Sequence, residues 1–203
     1  MERKTQRGYL VLADISGYTS FVAQTEIDHA DNVISPLLET IIGKLGDMFT
    51  IVKLEGDAVF AYVPEEKMID CNAMIELIDH TYLLFRDSAN ALYEGATCPC
   101  RACRAIPMLD LKFIVHHGEY VLQKVAGIID LLGNDVTLIH RLAKNRVTQS
   151  TGWKGYVLLT GHCLERMQAD KKPFVRQAES YEHLGDVETY VMDLHVRYEG
   201  MKR

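Results

Sequence analysis

Tyr9-Leu-Val-Leu-Ala-Asp14-Ile-Ser-Gly-Tyr-Thr19 begins with an unbroken apolar run, meets a carboxylate and turns at Ser16-Gly17, and its reading decides the fold. A short continuous apolar run bounded by turn residues is the pattern of a strand covered on both faces. Working outward, Ser35-Pro36 reads as an N-cap followed by proline at the first helical position. Leu37, Leu38, Ile41, Ile42 and Leu45 then recur at helical spacing up to Gly46. Residues 49–54 and 58–63 are β-rich and flank Glu55-Gly56-Asp57, a turn with glycine where positive φ is needed, so they form a hairpin. An amphipathic helix follows over 68–93, then strands over 111–117 and 120–125, a helix over 134–145, and strands over 156–159, 174–177 and 189–194.

Strand, helix, strand, strand, helix, strand is the order of a ferredoxin-like βαββαβ core. The expected class is therefore α+β, with C-terminal strands and helices added to that core. The chain reads as a single domain over 1–203 with a cysteine-containing insertion at 94–107. A right-handed first crossover sets the second strand parallel to the first and brings the hairpin turn to the edge where the first strand ends. Asp57 then lies beside Asp14.

Two converging carboxylates suit a hard divalent cation shared with substrate phosphates. The backbone N–H groups of Ser16-Gly17-Tyr18-Thr19 suit a phosphate. The plainer alternatives are that Asp14 caps the next helix and that Asp57 is a turn residue. Composition narrows the partners: among 203 residues, 22 Lys and Arg face 28 Asp and Glu, a net charge of −6. That balance gives no general attraction to nucleic acid or anionic lipid, and no stretch approaches the roughly 20 apolar residues of a membrane-spanning helix. The expectation is a soluble, cytoplasmic protein with neither a nucleic-acid nor a membrane partner.

Three of the five cysteines crowd into Cys98-Pro-Cys100-Arg-Ala-Cys103. In a reducing compartment this points to metal or redox chemistry before disulfides. The thiolates can take three positions around Zn²⁺ with Cys71, His80 or His117 as the fourth ligand. The C-x-C-x2-C spacing differs from the usual zinc-finger pairs, and free thiols or a redox-sensitive switch remain the alternatives.

Five segments in order, Leu12-Ala-Asp14-Ile-Ser-Gly-Tyr-Thr19, Lys53-Leu-Glu-Gly-Asp57, His116-His-Gly118, Asp130-Leu-Leu-Gly-Asn-Asp-Val-Thr137-Leu-Ile-His-Arg141 and Gly185-Asp-Val-Glu-Thr-Tyr190, resemble the catalytic domain of the class III nucleotidyl cyclases. The resemblance covers most of the chain outside 64–108 and implies an uncharacterised bacterial branch of that family. It implies that Asp14 and Asp57, with the Ile15 carbonyl, hold two Mg²⁺ or Mn²⁺ ions. Lys53 and Asp130 match the pair that reads adenine, and Arg141 matches the arginine that stabilises transition-state charge. It further implies a homodimer with sites at its interface, and conversion of ATP to cyclic AMP. Three departures stand out. Thr137 replaces the ribose-orienting asparagine, Glu119 stands where many members carry a triphosphate-binding arginine, and Glu182-His183-Leu184 lacks the family's basic residue. Catalysis by two metals and a catalytically degenerate, ligand-binding regulatory module are thus both left open, as is a nucleotide other than ATP.

Overall fold

The computed structural model describes residues 4–68 and 70–202, and the Cys71 side chain lies outside the described residues. The first half runs β1 (Gln6–Ser16), α1 (Tyr18–Gln24), α2 (Ile27–Leu45), β2 (Thr50–Glu55), β3 (Ala58–Pro64), α3 (Cys71–Glu94) and α4 (Arg101–Ala105). The second half runs β4 (Asp110–Val125), β5 (Ile128–Leu132), α5 (Asn134–Leu142), α6 (Val147–Thr151), β6 (Tyr156–Thr160), α7 (Gly161–Met167), β7 (Val175–Tyr181), β8 (Gly185–Asp193) and α8 (Leu194–Met201).

The strands form one sheet in the order β2-β3-β1-β4-β6-β8-β7, with β5 paired to the distal part of β4. The order β4-β1-β3-β2 is that of the ferredoxin-like core, and β6, β8 and β7 extend it. β1 lies at the centre, antiparallel to both β3 and β4. Its continuous apolar run has a simple cause. Tyr9, Val11, Ala13 and Ile15 enter the core beneath α2 and α3, whereas Leu10 and Leu12 enter a second core with Val136, Ile139 and Leu142 of α5. A strand with helices on both faces has no side on which polar residues are favoured.

Three features differ from the pattern read in the sequence. Ser35 and Pro36 do not open the helix; they lie inside α2, which begins at Ile27. Burial of Val33 and Ile34 upstream of the proline, worth roughly 1.5–3 kcal/mol each, offsets the backbone hydrogen bond that Pro36 cannot donate. The Ser35 hydroxyl donates instead to Asp31 Oδ1 at 2.7 Å.

The strands expected at 111–117 and 120–125 are one 16-residue strand, β4, that runs straight through Gly118. This glycine serves a close approach and breaks nothing: a Cβ built there would lie 2.3 Å from Asp135 Cγ. Finally, the short helices α1, α4, α6, α7 and α8, of 5 to 8 residues, carry no clear periodic pattern in the sequence, because their burial depends on tertiary contacts. Among the described residues, no helix is long and apolar enough to cross a membrane.

Candidate functional site

Asp14 stands near the end of β1 opposite Ala58, the first residue of β3, so the β2–β3 turn delivers Asp57 directly beside it. The Ile15 N–H donates to the Asp57 carbonyl at 3.2 Å and fixes the turn against the strand. The Ile15 side chain is buried in the core, leaving its backbone at the edge of the site. Burial, and then the charge of neighbouring Asp14, push the Asp57 carboxyl up to about 6. The pair thus carries excess negative charge in a poorly hydrated place. Lys112, one strand over on β4, brings its Nζ to 3.4 Å from Asp14 Oδ2 and donates to the Ala143 carbonyl at 3.2 Å.

Next to this acidic pair is a lysine held between two further carboxylates. Lys53 on β2 places Nζ 3.0 Å from Asp130 Oδ2 and 2.9 Å from Glu55 Oε1. Burial opposes both charges, yet the hydrogen bonds win: they hold Lys53 above its ordinary range and, with the Leu131 N–H, hold Asp130 below the usual carboxylate range. Glu55 also faces His140 Nδ1 at 3.2 Å, and burial keeps that imidazole toward its neutral form.

From α5, Thr137 and Arg141 face the same opening. The Thr137 hydroxyl donates to the Gly133 carbonyl at 3.2 Å, leaving its oxygen lone pairs available. Arg141 is exposed and has no ion pair among the described residues. Asp14, Asp57, Lys53, Thr137 and Arg141 all line one open cleft of about 640 Å³. The structure therefore brings together residues that the sequence singled out in three separate segments, and adds Glu55, Lys112 and His140. Lys112 was legible only through its register opposite Asp14, which sequence spacing does not reveal.

Other expected residues are not among those lining this cleft. Gly17 caps α1 in the left-handed region at φ 89°, and a Cβ there would stand 2.9 Å from the Met108 carbonyl, so glycine is required. Tyr18 and Thr19 form the first turn of that helix. Glu119 does not face Asp14: it pairs with Arg7 at the opposite end of β1, seven strand positions away, and Arg7 Nη2 reaches its Oε1 at 2.6 Å. Glu182 and His183 are exposed in the β7–β8 turn. Cys98, Cys100 and Cys103 precede or lie in α4, which packs on α1, α2 and α3 and so sits on the sheet face opposite α5. The histidine beside Cys98 and Cys100 is His29 and not the expected His80 or His117; His80 is exposed on α3, and His117 is buried in β4 against Tyr9 and His162.

The fold is that of adenylyl and guanylyl cyclase catalytic domains. The guanylyl cyclase Cya2 matches with a TM-score of 0.73 at 14% identity over 94% of this chain and 93% of that one. The adenylyl cyclase CyaB from P. aeruginosa matches with a TM-score of 0.66 at 16% identity over 95% and 97%. The catalytic core of a rhodopsin-guanylyl cyclase with converted specificity, in complex with ATPαS, matches with a TM-score of 0.61 at 17% identity over 94% and 97%. In sequence, the uncharacterized protein Rv2561/Rv2562 of Mycobacterium tuberculosis is 30% identical over 166 residues, which are 79% of this chain and 73% of that protein. A family model described as "Protein of unknown function (DUF2652)" matches residues 34–151, the stretch that carries Lys53, Asp57, Asp130, Thr137 and Arg141, and the chain belongs to that family.

Proposed function

We propose that the cleft is a nucleoside triphosphate site and that the chain acts as a metal-dependent nucleotidyl cyclase, with ATP the favoured substrate and a homodimer the working form. One observation carries the reading: an acidic pair, Asp14 and Asp57, opens into the same cleft as Lys53 and the exposed Arg141. The carboxylates fit a divalent cation, because burial and mutual repulsion raise Asp57 and a bound cation would relieve both. Asp14 and Asp57 would hold the ions, with the Ile15 carbonyl as a further oxygen donor. Bound there, Mg²⁺ or Mn²⁺ would supply activation of the ribose 3′-hydroxyl and neutralisation of the leaving pyrophosphate.

The residues of the chain supply the rest. Lys53 and Asp130 form a donor and acceptor pair suited to one edge of adenine; a base that cannot match both leaves them bonded to each other and gains no hydrogen bond from either. The Thr137 oxygen can accept a hydrogen bond from a ribose hydroxyl. Arg141 offers fixed positive charge to the phosphate as the 3′-oxygen attacks the α-phosphorus and pyrophosphate departs.

A second reading, a binding module without turnover, is favoured by a specific feature: Lys53 is already engaged by two carboxylates. Turnover of the four nucleoside triphosphates with Mn²⁺ and with Mg²⁺ separates the two. Slow cyclic AMP formation, abolished in Asp57→Asn and in Arg141→Ala and partly restored on mixing those two variants, supports catalysis at a shared site. ATP binding without product supports the module. Neither binding nor product removes the nucleotide reading.

A further inference from the structure

We propose that His29, Cys98, Cys100 and Cys103 bind one Zn²⁺ and that this ion staples the segment between α3 and β4 onto the first turn of α2. His29 Nδ1 lies 3.1 Å from Cys100 Sγ and 3.9 Å from Cys98 Sγ, and the ligand atoms of these three residues all lie within 4.8 Å of one another. Tetrahedral zinc with Zn–S of about 2.3 Å and Zn–N of about 2.0–2.1 Å sets N···S separations of roughly 3.6 Å. The two separations in the structure bracket that value, so a zinc ion needs only side-chain adjustment.

The fourth ligand comes from the turn over residues 100–103. The Cys103 N–H donates to Cys100 Sγ at 3.4 Å, which curls the C-x2-C stretch around that sulfur and keeps Cys103 beside the other three residues, one side-chain rotation from completing the set. Three thiolates and one imidazole form a soft donor set, which suits Zn²⁺ and excludes Mg²⁺ or Ca²⁺, whose ligands are oxygens. The unit would carry a net charge of −1, and Arg101 and Arg104 flank Cys103 on the same short helix.

The ligands also come from parts of the chain that need joining. His29 lies in the first turns of α2, about 70 residues before the cysteines. α4 has 5 residues and is anchored mainly by Ala102 and, just beyond it, Ile106, both essentially fully buried. A helix that short has no stability of its own. Further along the segment, the Met108 carbonyl abuts Gly17, so a staple at His29 and the cysteines also steadies the turn that follows Asp14.

The test uses the full chain purified without added metal and without a histidine tag, with zinc content measured by mass spectrometry. The expected result is about one zinc per chain, loss of zinc in Cys100→Ser, and at least tenfold weaker zinc binding in His29→Gln against a chromophoric chelator. Replacement by Co²⁺ should give the visible bands of a tetrahedral site with thiolate ligands, a readout on folded wild type that needs no variant. Zinc removal should speed amide exchange selectively over residues 98–108. Wild type that holds no zinc when supplied with an equivalent, or whose thiols titrate equally fast with and without zinc, would overturn the proposal. None of these readouts involves a nucleotide, so the zinc site and the nucleotide reading stand or fall separately.

Discussion

Lys53 Nζ and Asp130 Oδ2 meet at 3.0 Å between β2 and β5, and the same ammonium lies 2.9 Å from Glu55 Oε1. One cation is thus shared by two carboxylates, and a ligand that uses Lys53 as a donor must compete with Glu55. Partly exposed ion pairs are worth about 0.2–1 kcal/mol each, so releasing Lys53 from one partner should matter by a few-fold at most. Glu55→Gln is expected to tighten ATP binding by roughly threefold, whereas Lys53→Met should level affinities across the four nucleotides. Titration calorimetry with each nucleotide checks both. Weaker ATP binding in Glu55→Gln would place Glu55 among the ligand contacts.

Much of this site was legible because its residues sit at sequence-local punctuation. Asp14 ends an apolar run, Asp57 closes a glycine turn, and Thr137 and Arg141 are four apart on one helix face. The rest depends on distance in space. Lys112 reaches Asp14 only through strand register, and His29 reaches the cysteines from a different helix. Gly118 misled for another reason: its sequence context reads as a strand break, but the constraint is room for the Asp135 side chain. The start of α2 was hidden because Ser35-Pro36 carries a strong local start signal that tertiary burial of Val33 and Ile34 overrides.

Asp57→Asn should raise the melting temperature of the metal-free chain at pH 8, because it removes a half-buried charge facing Asp14. The gain should be on the order of 1–2 kcal/mol. The same change should abolish the further rise that Mn²⁺ gives to wild type. Thermal melts with and without Mn²⁺ measure both effects. An unchanged response to Mn²⁺ in the variant would place the cation away from this pair.

Gly118→Ala is expected to cost about 1–3 kcal/mol, because the new methyl group collides with the Asp135 side chain. That carboxylate accepts from the Glu119 N–H at 2.6 Å and contacts His116 Nε2 at 3.0 Å, docking the start of α5 on β4. Since α5 carries Thr137 and Arg141, ligand binding should weaken along with stability. Denaturant melts and nucleotide titration of the variant report the two losses, and a variant of wild-type stability would contradict the clamp.

The β4–β5 hairpin exposes Val125, Ile128, Ile129 and Leu132, each more than half accessible. By register Val125, Ile128 and Leu132 share one face of this hairpin and Ile129 the other, and exposed apolar side chains gathered on one face mark an interaction surface. In the homodimer reading it lies at the contact between copies, so Ile128→Lys combined with Ile129→Glu should shift a dimer toward monomer without loss of fold. Light scattering after size exclusion, with circular dichroism as control, checks this. A wild-type monomer at high concentration would remove the dimer.

The last prediction concerns acid stability and rests on His117. Its side chain is 4% exposed, its ring meets Tyr9 edge-on at 4.8 Å, and its Nδ1 lies 3.3 Å from His162 Nε2. Glu65 Oε2 stands 3.4 Å from Nε2, too far for a strong hydrogen bond, and Asp135 is the other acidic neighbour. Burial, reinforced by the positive charge of His162, His116 and Arg7, pushes the imidazole down to about 4. An imidazole in the unfolded chain titrates near 6.5. Above that pH both states are neutral and the fold keeps its full stability. As the pH falls from 6.5 toward 4, the unfolded chain takes up a proton that the folded chain refuses, and up to about 3 kcal/mol is lost. Asp135, held below the ordinary carboxylate range chiefly by its His116 hydrogen bond, contributes its own loss at lower pH. His117→Gln keeps a polar partner for His162 and removes the titration, so its melting temperature should fall less steeply than that of wild type between pH 6.5 and 4.5. Equal slopes in that window would assign the acid sensitivity to other groups.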